Sequence, residues 1–308
     1  MINSMRFVFL VLMVRFFMPL QAQITAQHFK IYSVKLEKEV SIADIVKDMD
    51  HADVLFYGEE HNDSVTHYLE YEIFKGLHVS FGNQVALSME MFERDVQPIM
   101  NEYLQSDIRE RNFRKDARAW SNYWDYRPMV EYSKEHRLDV ICANAAGRYT
   151  NLSGRKGMNG LMNLPDESKK YFAPLPYDTA SGKYHEKLVG LFDNGDSKKK
   201  KRDSKSSPEP FSLVMAQSLW DATMAYSISD YLKNHPGKKV FQVNGRFHSD
   251  EYFGAVTQLK KYSPEVKYLV ISSGTDKKFP DIEWEKHRHL GDYIIITDPK
   301  VPNTYKDN

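Results

Sequence analysis

Cysteine is nearly absent: Cys142 is the only one in 308 residues. No disulfide can therefore form within the chain, and the staples that hold many small exported domains together are missing. A chain of this length buries enough apolar surface to fold without them. Cys142 sits in the apolar run Val140-Ile141-Cys142-Ala143, where a thiol acts as a small packing group rather than a nucleophile. A surplus of either charge is missing too. The 42 basic residues balance the 42 acidic ones, which removes any whole-molecule attraction to nucleic acid or to an anionic membrane surface. Partners must be recognised locally, and none of them is expected to be a nucleic acid.

The apolar run at the start of the chain is also too short for a membrane anchor. Phe7 to Val14 is apolar throughout, but Arg15 interrupts it, well below the roughly 20 residues a transmembrane helix needs. A basic Arg6 before the run and Gln21-Ala22-Gln23 after it have the form of a signal peptide, so residues 1–22 are expected to be removed on export. No cysteine follows that cut to carry a lipid. The expectation is an exported protein, periplasmic or envelope-associated, that is not a lipoprotein.

What the chain does have is a rhythm of short buried strands. Asp53–Tyr57, Val85–Met89, Leu138–Cys142, Val240–Val243, Tyr268–Ile271 and Tyr293–Ile296 are compact apolar runs, as suits strands covered on both faces. Between the first two, Val65, Leu69, Ile73 and Leu77 recur every fourth residue after Asn62, Asp63 and Ser64, the pattern of a capped helix. Pro128 fits the first turn of a second helix leading into the Leu138 strand. Phe211 to Leu232 reads as a third. The fold class is α/β, with a mostly parallel central sheet flanked by helices.

Residues 145–210 break the rhythm with scattered Gly, Pro and Tyr, and read as an inserted helical cap within a single domain spanning 23–308. Its end, about 193–209, contains Lys198-Lys199-Lys200-Lys201-Arg202 and few large apolar residues. Such a composition suits a disordered loop better than a binding patch.

Chemistry concentrates where strands end. Gly58-Glu59-Glu60-His61 follows one strand, Glu90 ends the next, and Asn244-Gly245-Arg246-Phe247-His248 follows another. In open α/β sheets, the carboxyl ends of strands are where ligands bind. Glu59, His61, Glu90 and His248 are therefore the candidate site, as catalytic acids and bases or as ligands of a divalent metal. Glu60, Gln217, Asp221 and Arg246 are candidates to orient them; Gln217 and Asp221 lie four apart on one helix and so are neighbours. Trp120, Tyr123, Trp124 and Tyr126 either line a pocket for a flat apolar ligand such as a porphyrin or pack in the core.

Taken together, Gly58 to Asp63, Glu90-Met91-Phe92, Trp124 to Glu131, Gln217 to Ala225 and Gly245 to His248 resemble the ChaN-like haem-binding proteins of the Tiki superfamily. That group is similar to TraB-type proteins and, more remotely, to erythromycin esterases. The resemblance implies an α/β fold with a helical insertion, a part in haem or iron acquisition at the cell envelope, and a homodimer enclosing haem. It also implies a tyrosine ligand to haem iron, which the motifs do not single out among 19 tyrosines. The hydrolase relatives place general-base or metal-dependent chemistry at the positions of Glu59, His61, Glu90 and His248. Binding and hydrolysis both stay open at this point.

Overall fold

The computed structural model describes residues 24–193 and 212–305. The segment expected to be a signal peptide and nearly all of the expected basic loop lie outside these residues. Eight strands form one sheet: β1 (Phe29–Ser33), β2 (Lys38–Glu39), β3 (Val54–Glu59), β4 (Val85–Glu93), β5 (Val140–Asn144), β6 (Lys239–Gly245), β7 (Tyr268–Thr275) and β8 (Tyr293–Thr297). Their order is β2-β1-β8-β7-β3-β6-β4-β5. From β8 to β5 every neighbouring pair is parallel, while β1 joins β8 and β2 antiparallel. The expected sheet is thus present, with an antiparallel edge that the sequence reading did not contain.

The helices among the described residues are α1 (Ile42–Asp48), α2 (Ser64–Phe81), α3 (Gln97–Leu104), α4 (Glu110–Asp116), α5 (Tyr123–His136), α6 (Gly147–Met162), α7 (Asp166–Lys169), α8 (Gly182–Asp193), α9 (Leu213–Asn234) and α10 (Gly254–Tyr262). None is long and apolar enough to cross a membrane. Helix α2 begins where Asp63 accepts hydrogen bonds from the backbone N–H groups of Val65 and Thr66, at 2.8 and 3.2 Å, which satisfies donors that have no partner inside the helix. It ends at Gly82, whose φ of 56° suits a residue without Cβ.

Strand alternation divides the core into two layers. Leu55 and Tyr57 of β3, with Leu87 and Met89 of β4, face α2, α3 and α5. Val54 and Phe56, with Ala86, face α9 and α10. Continuing the alternation sends Glu59 to the α2/α5 side and Glu90 to the α9 side. The strands therefore decide which helices each acid meets.

Pro128 lies inside α5, which starts five residues earlier at Tyr123, rather than in its first turn as expected. Tyr123 and Tyr126 are buried in the core, and this apolar anchoring carries the helix through a residue that cannot donate a backbone hydrogen bond. The same burial answers the question about the aromatic group: Tyr123 and Tyr126 are core, Trp120 packs edge-on against His61 at 5.3 Å, and Trp124 is exposed. Cys142 is buried and unpaired, and its surroundings push the thiol pKa upward. In the stretch read as a cap, α6 lies on α9, and Tyr149, Leu161, Phe172 and Tyr177 pack with Leu219 and Ala222.

Candidate functional site

The carboxyl ends of β3, β4 and β6 meet at one edge of the sheet and bring the four sequence candidates together. Glu59 is buried at the end of β3. Its Oε1 lies 2.7 Å from Nδ1 of His61 and accepts the Tyr126 hydroxyl at 2.7 Å. Burial pushes this carboxyl up, but the hydrogen bond from His61 and the charge on His67 outweigh it and hold the pKa at about 2. Burial pulls the His61 imidazole down, yet the Glu59 hydrogen bond and the charges of Glu90 and Glu59 raise it above its ordinary value.

On the other side of the sheet edge, His248 stands between two acids. Its Nδ1 is 2.6 Å from Oδ1 of Asp221, and its Nε2 is 3.4 Å from Oε1 of Glu90. Glu90 also accepts the Gly245 N–H at 2.7 Å. Burial would lower the His248 pKa, but the charges of Glu90 and Asp221 raise it to about 10. Glu90 is held below its ordinary value because His248, His61 and the Gly245 N–H together outweigh burial. Asp221 is raised, since its burial between helices outweighs the pull of His248.

Gly245 is the hinge between the two halves. A Cβ there would fall 2.7 Å from Nε2 of His61 and 3.7 Å from Oε2 of Glu90, so the imidazole rests directly on the glycine. Gly58 is tighter against backbone: its Cβ would lie 2.8 Å from the Arg246 Cα and from the Ser249 Oγ. Replacing Gly58 by alanine is expected to cost roughly 1–3 kcal/mol, as overpacking does. An unchanged denaturation midpoint would show that β3 and the turn after β6 have room to separate.

The supporting candidates take different places. Arg246 donates to Asp250 at 2.9 Å, to Ser272 at 3.2 Å and to Glu60 at 3.3 Å. Glu60 is half-buried, and burial raises its carboxyl in spite of Arg246. Gln217 lies 3.0 Å from Nδ1 of His248. Asp221, expected in a supporting role, touches His248 more closely than Glu90 does, and its Oδ2 accepts the Tyr184 hydroxyl at 2.7 Å.

Sequence reasoning passed over Tyr184, His67 and Glu70, and weighed Tyr126 only as a pocket-lining or core aromatic. His67 and Glu70 lie one helical turn apart on α2 and are buried beneath Glu59. The available signal was their i, i+3 spacing on a helix whose neighbouring stripe is wholly apolar. Their environment is strongly perturbed: the charge of Glu70 overcomes burial to raise His67 to about 10, while burial and the neighbouring Glu59 charge drive the Glu70 carboxyl well up.

Two kinds of cavity result. One of about 400 Å³ opens over the strand ends, lined by Glu59, Glu60, His61, Arg246, His248 and Leu188 of α8, among others. It is polar, with acids and bases facing one another. A second, of about 680 Å³, lies between the α6–α7 segment and α9. Its lining includes Met162, Phe172, Pro174, Leu175 and Tyr226, with Arg94, Lys169 and Lys170. The Arg94 guanidinium lies over the Tyr226 ring, 5.0 Å from its centroid.

Residues 45–259 match the family described as haem-binding uptake, Tiki superfamily, ChaN. The chain belongs to this family. Glu59, His61, Glu90, Asp221 and His248 all fall inside the matched span. Among solved structures, the fold is similar to that described as cofacial heme binding to ChaN of Campylobacter jejuni. That likeness has a TM-score of 0.65 at 16% identity and covers 89% of this chain and 98% of the other. A looser likeness, to the type III effector HopBA1, has a TM-score of 0.46 at 11% identity, covering 84% and 94% of the two chains. No curated protein matches.

Proposed function

We propose that the chain binds haem in the cavity between the α6–α7 segment and α9, as an exported accessory of haem or iron uptake. Family membership supports the ligand class, and the cavity supports the place. Haem is a flat apolar disc with two carboxylates. Met162, Phe172, Pro174 and Leu175 suit the ring, and Arg94, Lys169 and Lys170, which pair with Asp230, Asp166 and Glu167, are the cations that would exchange onto the propionates. The strand-end cavity suits them less well, because Glu59 and Glu60 line it and its Arg246 is already paired with Glu60 and Asp250.

Tyr226 is the tyrosine in that lining, and it is our candidate ligand to haem iron. A phenolate supplies a hard anionic axial ligand that favours the ferric state. The protein's part is to bury one face of the ring, pair its carboxylates and position the phenol. A second copy of the chain covering the other face is the homodimer we propose, in the periplasm or at the envelope.

Haem titration of the purified chain should give saturable binding with a shifted Soret band. In Tyr226→Phe the band should move and the affinity fall at least tenfold. Absence of saturable binding would sink the haem reading. An unchanged Tyr226→Phe spectrum would remove Tyr226 while leaving haem binding standing.

The strand-end site supports a second reading, hydrolysis by Glu and His groups with or without a divalent metal. The observation in its favour is the paired geometry, His61 on Glu59 and His248 on Asp221, facing a cavity that can admit a substrate. An esterase and peptidase screen with added divalent metals tests it. An activity that survives His61→Ala and His248→Ala would remove its basis.

A further inference from the structure

We infer that Glu59, His67 and Glu70 form a buried site for one divalent first-row transition ion, such as Zn²⁺ or Mn²⁺. The inference does not rest on haem binding. Their ligand atoms all lie within 4.8 Å of one another, and the three residues come from two elements. Glu59 ends β3, whereas His67 and Glu70 sit one turn apart on α2.

The histidine is oriented for ligation. Its Nε2 is 3.1 Å from the His61 carbonyl oxygen, which can only accept, so Nε2 carries a proton. An ion entering between the groups would displace the Nδ1 proton and take up that lone pair beside the two carboxylates. A backbone carbonyl that fixes the tautomer of a histidine is a common support for a metal ligand.

The spacing argues in the same direction. Nδ1 lies 3.3 Å from Oε2 of Glu59 and 3.2 Å from Oε2 of Glu70. The His61–Glu59 and His248–Asp221 pairs close to 2.7 and 2.6 Å, whereas His248 stands 3.4 Å from Glu90, and at 3.2 Å His67 is within hydrogen-bond range of Glu70. Ligands about 2.0–2.2 Å from a tetrahedral ion stand on the order of 3.3 Å apart. The His67 distances match that separation.

Two oxygens lack hydrogen-bond partners as well. Oε2 of Glu59 and Oε1 of Glu70 are buried without one, and the residues are 1% and 0% exposed. A buried carboxylate oxygen left in this way is costly. A dication coordinated by two carboxylates and an imidazole satisfies both acids and cancels their charge. Tyr126 and His61 hold the other oxygen of Glu59. Glu59 and His61 also line the open strand-end cavity, which gives an ion its way in.

The test uses the full chain, stripped with a chelator and dialysed against Zn²⁺ or Mn²⁺ in the absence of haem. Elemental analysis should find about one equivalent per chain, falling at least fivefold in Glu70→Gln and His67→Gln. His235→Gln, just past the end of α9 and at the opposite edge of the sheet from the triad, should retain it. Wild-type chain should also melt at higher temperature with the ion than in chelator, a readout that needs no variant. Less than a fifth of an equivalent on wild type, or equal loading of Glu70→Gln, would overturn the site. Either result would mean that the two acids share a proton instead, and haem titration of the same sample would be unaffected.

Discussion

The stability of the chelator-treated chain is expected to fall steeply as pH rises from about 7.5 to 9.5, by several kcal/mol over that span. Two buried histidines set the sign. His67 and His248 are each raised to about 10 by neighbouring carboxylates in spite of burial. A group raised on folding contributes stability that is fully present below its unfolded pKa, about 6.5 for histidine, and is lost as pH passes upward through its folded value. Within that window the folded chain holds imidazole protons that the unfolded chain releases, each contributing on the order of 1 kcal/mol per unit, and the raised Glu70 carboxyl adds to the loss. Domains are stable by only about 5–15 kcal/mol, so the loss is large enough to unfold much of the sample. Glu59 acts at the other end. Its depressed pKa of about 2 gives stability that is present above the ordinary glutamate value and disappears as pH falls through about 2. Denaturant titrations at half-unit intervals would measure the slope, and His248→Gln should reduce it. A flat profile between pH 7.5 and 9.5 would mean that neither imidazole is charged in the folded chain.

The sheet was legible because its strands are buried on both faces. Continuous runs such as Val54 to Tyr57 leave helices no polar face to present, and all six of the strands expected from the sequence are present. The antiparallel edge was not legible for the converse reason. β1 reads Phe29-Lys30-Ile31-Tyr32-Ser33 and β2 is only two residues, Lys38 and Glu39. Edge strands of this kind carry polar residues and little periodicity. Pro128 misled in a simpler way, since a proline is most at home in a first turn, and only the burial of Tyr123 and Tyr126 explains why α5 starts before it.

The site was half legible. Glycines and histidines directly after strands marked Glu59, His61, Glu90 and His248, because strand ends are where a parallel sheet exposes function. What no spacing along the chain could reveal is which helix lies over which acid. Strand alternation sends Glu59 toward α2 and Glu90 toward α9, so the same edge of the sheet holds two histidine–acid groups with different partners. Gly245 joins them, because only a residue without Cβ lets His61 rest between Glu59 and Glu90. In our proposal the family's haem-binding description is met by the basic, apolar cavity beside Tyr226, and the strand-end groups are left for protons, metal or substrate.

Replacing Asp221 by alanine is expected to cost about 3–5 kcal/mol, the range for removing one partner of a buried ion pair. Asp221 is 1% exposed, with one oxygen 2.6 Å from His248 and the other accepting the Tyr184 hydroxyl at 2.7 Å. Truncation leaves the His248 imidazole with Glu90 at 3.4 Å as its remaining acid, and leaves the phenol of Tyr184 without its short acceptor. Two controls separate charge from shape. Asp221→Asn keeps one acceptor oxygen and sets an amide N–H₂ in place of the other, from which the Tyr184 hydroxyl oxygen can accept, and it lowers the His248 pKa from about 10, which an NMR titration of the imidazole would register. Tyr184→Phe removes a single hydrogen bond and should cost about 0.5–1.5 kcal/mol. Because Tyr184 belongs to α8, whose Leu188 lines the strand-end cavity, Asp221→Ala should also loosen α8 and make it more sensitive to limited proteolysis. A cost below about 1 kcal/mol, with α8 equally protected, would show that His248 is held by Glu90 and Gln217 and not by Asp221.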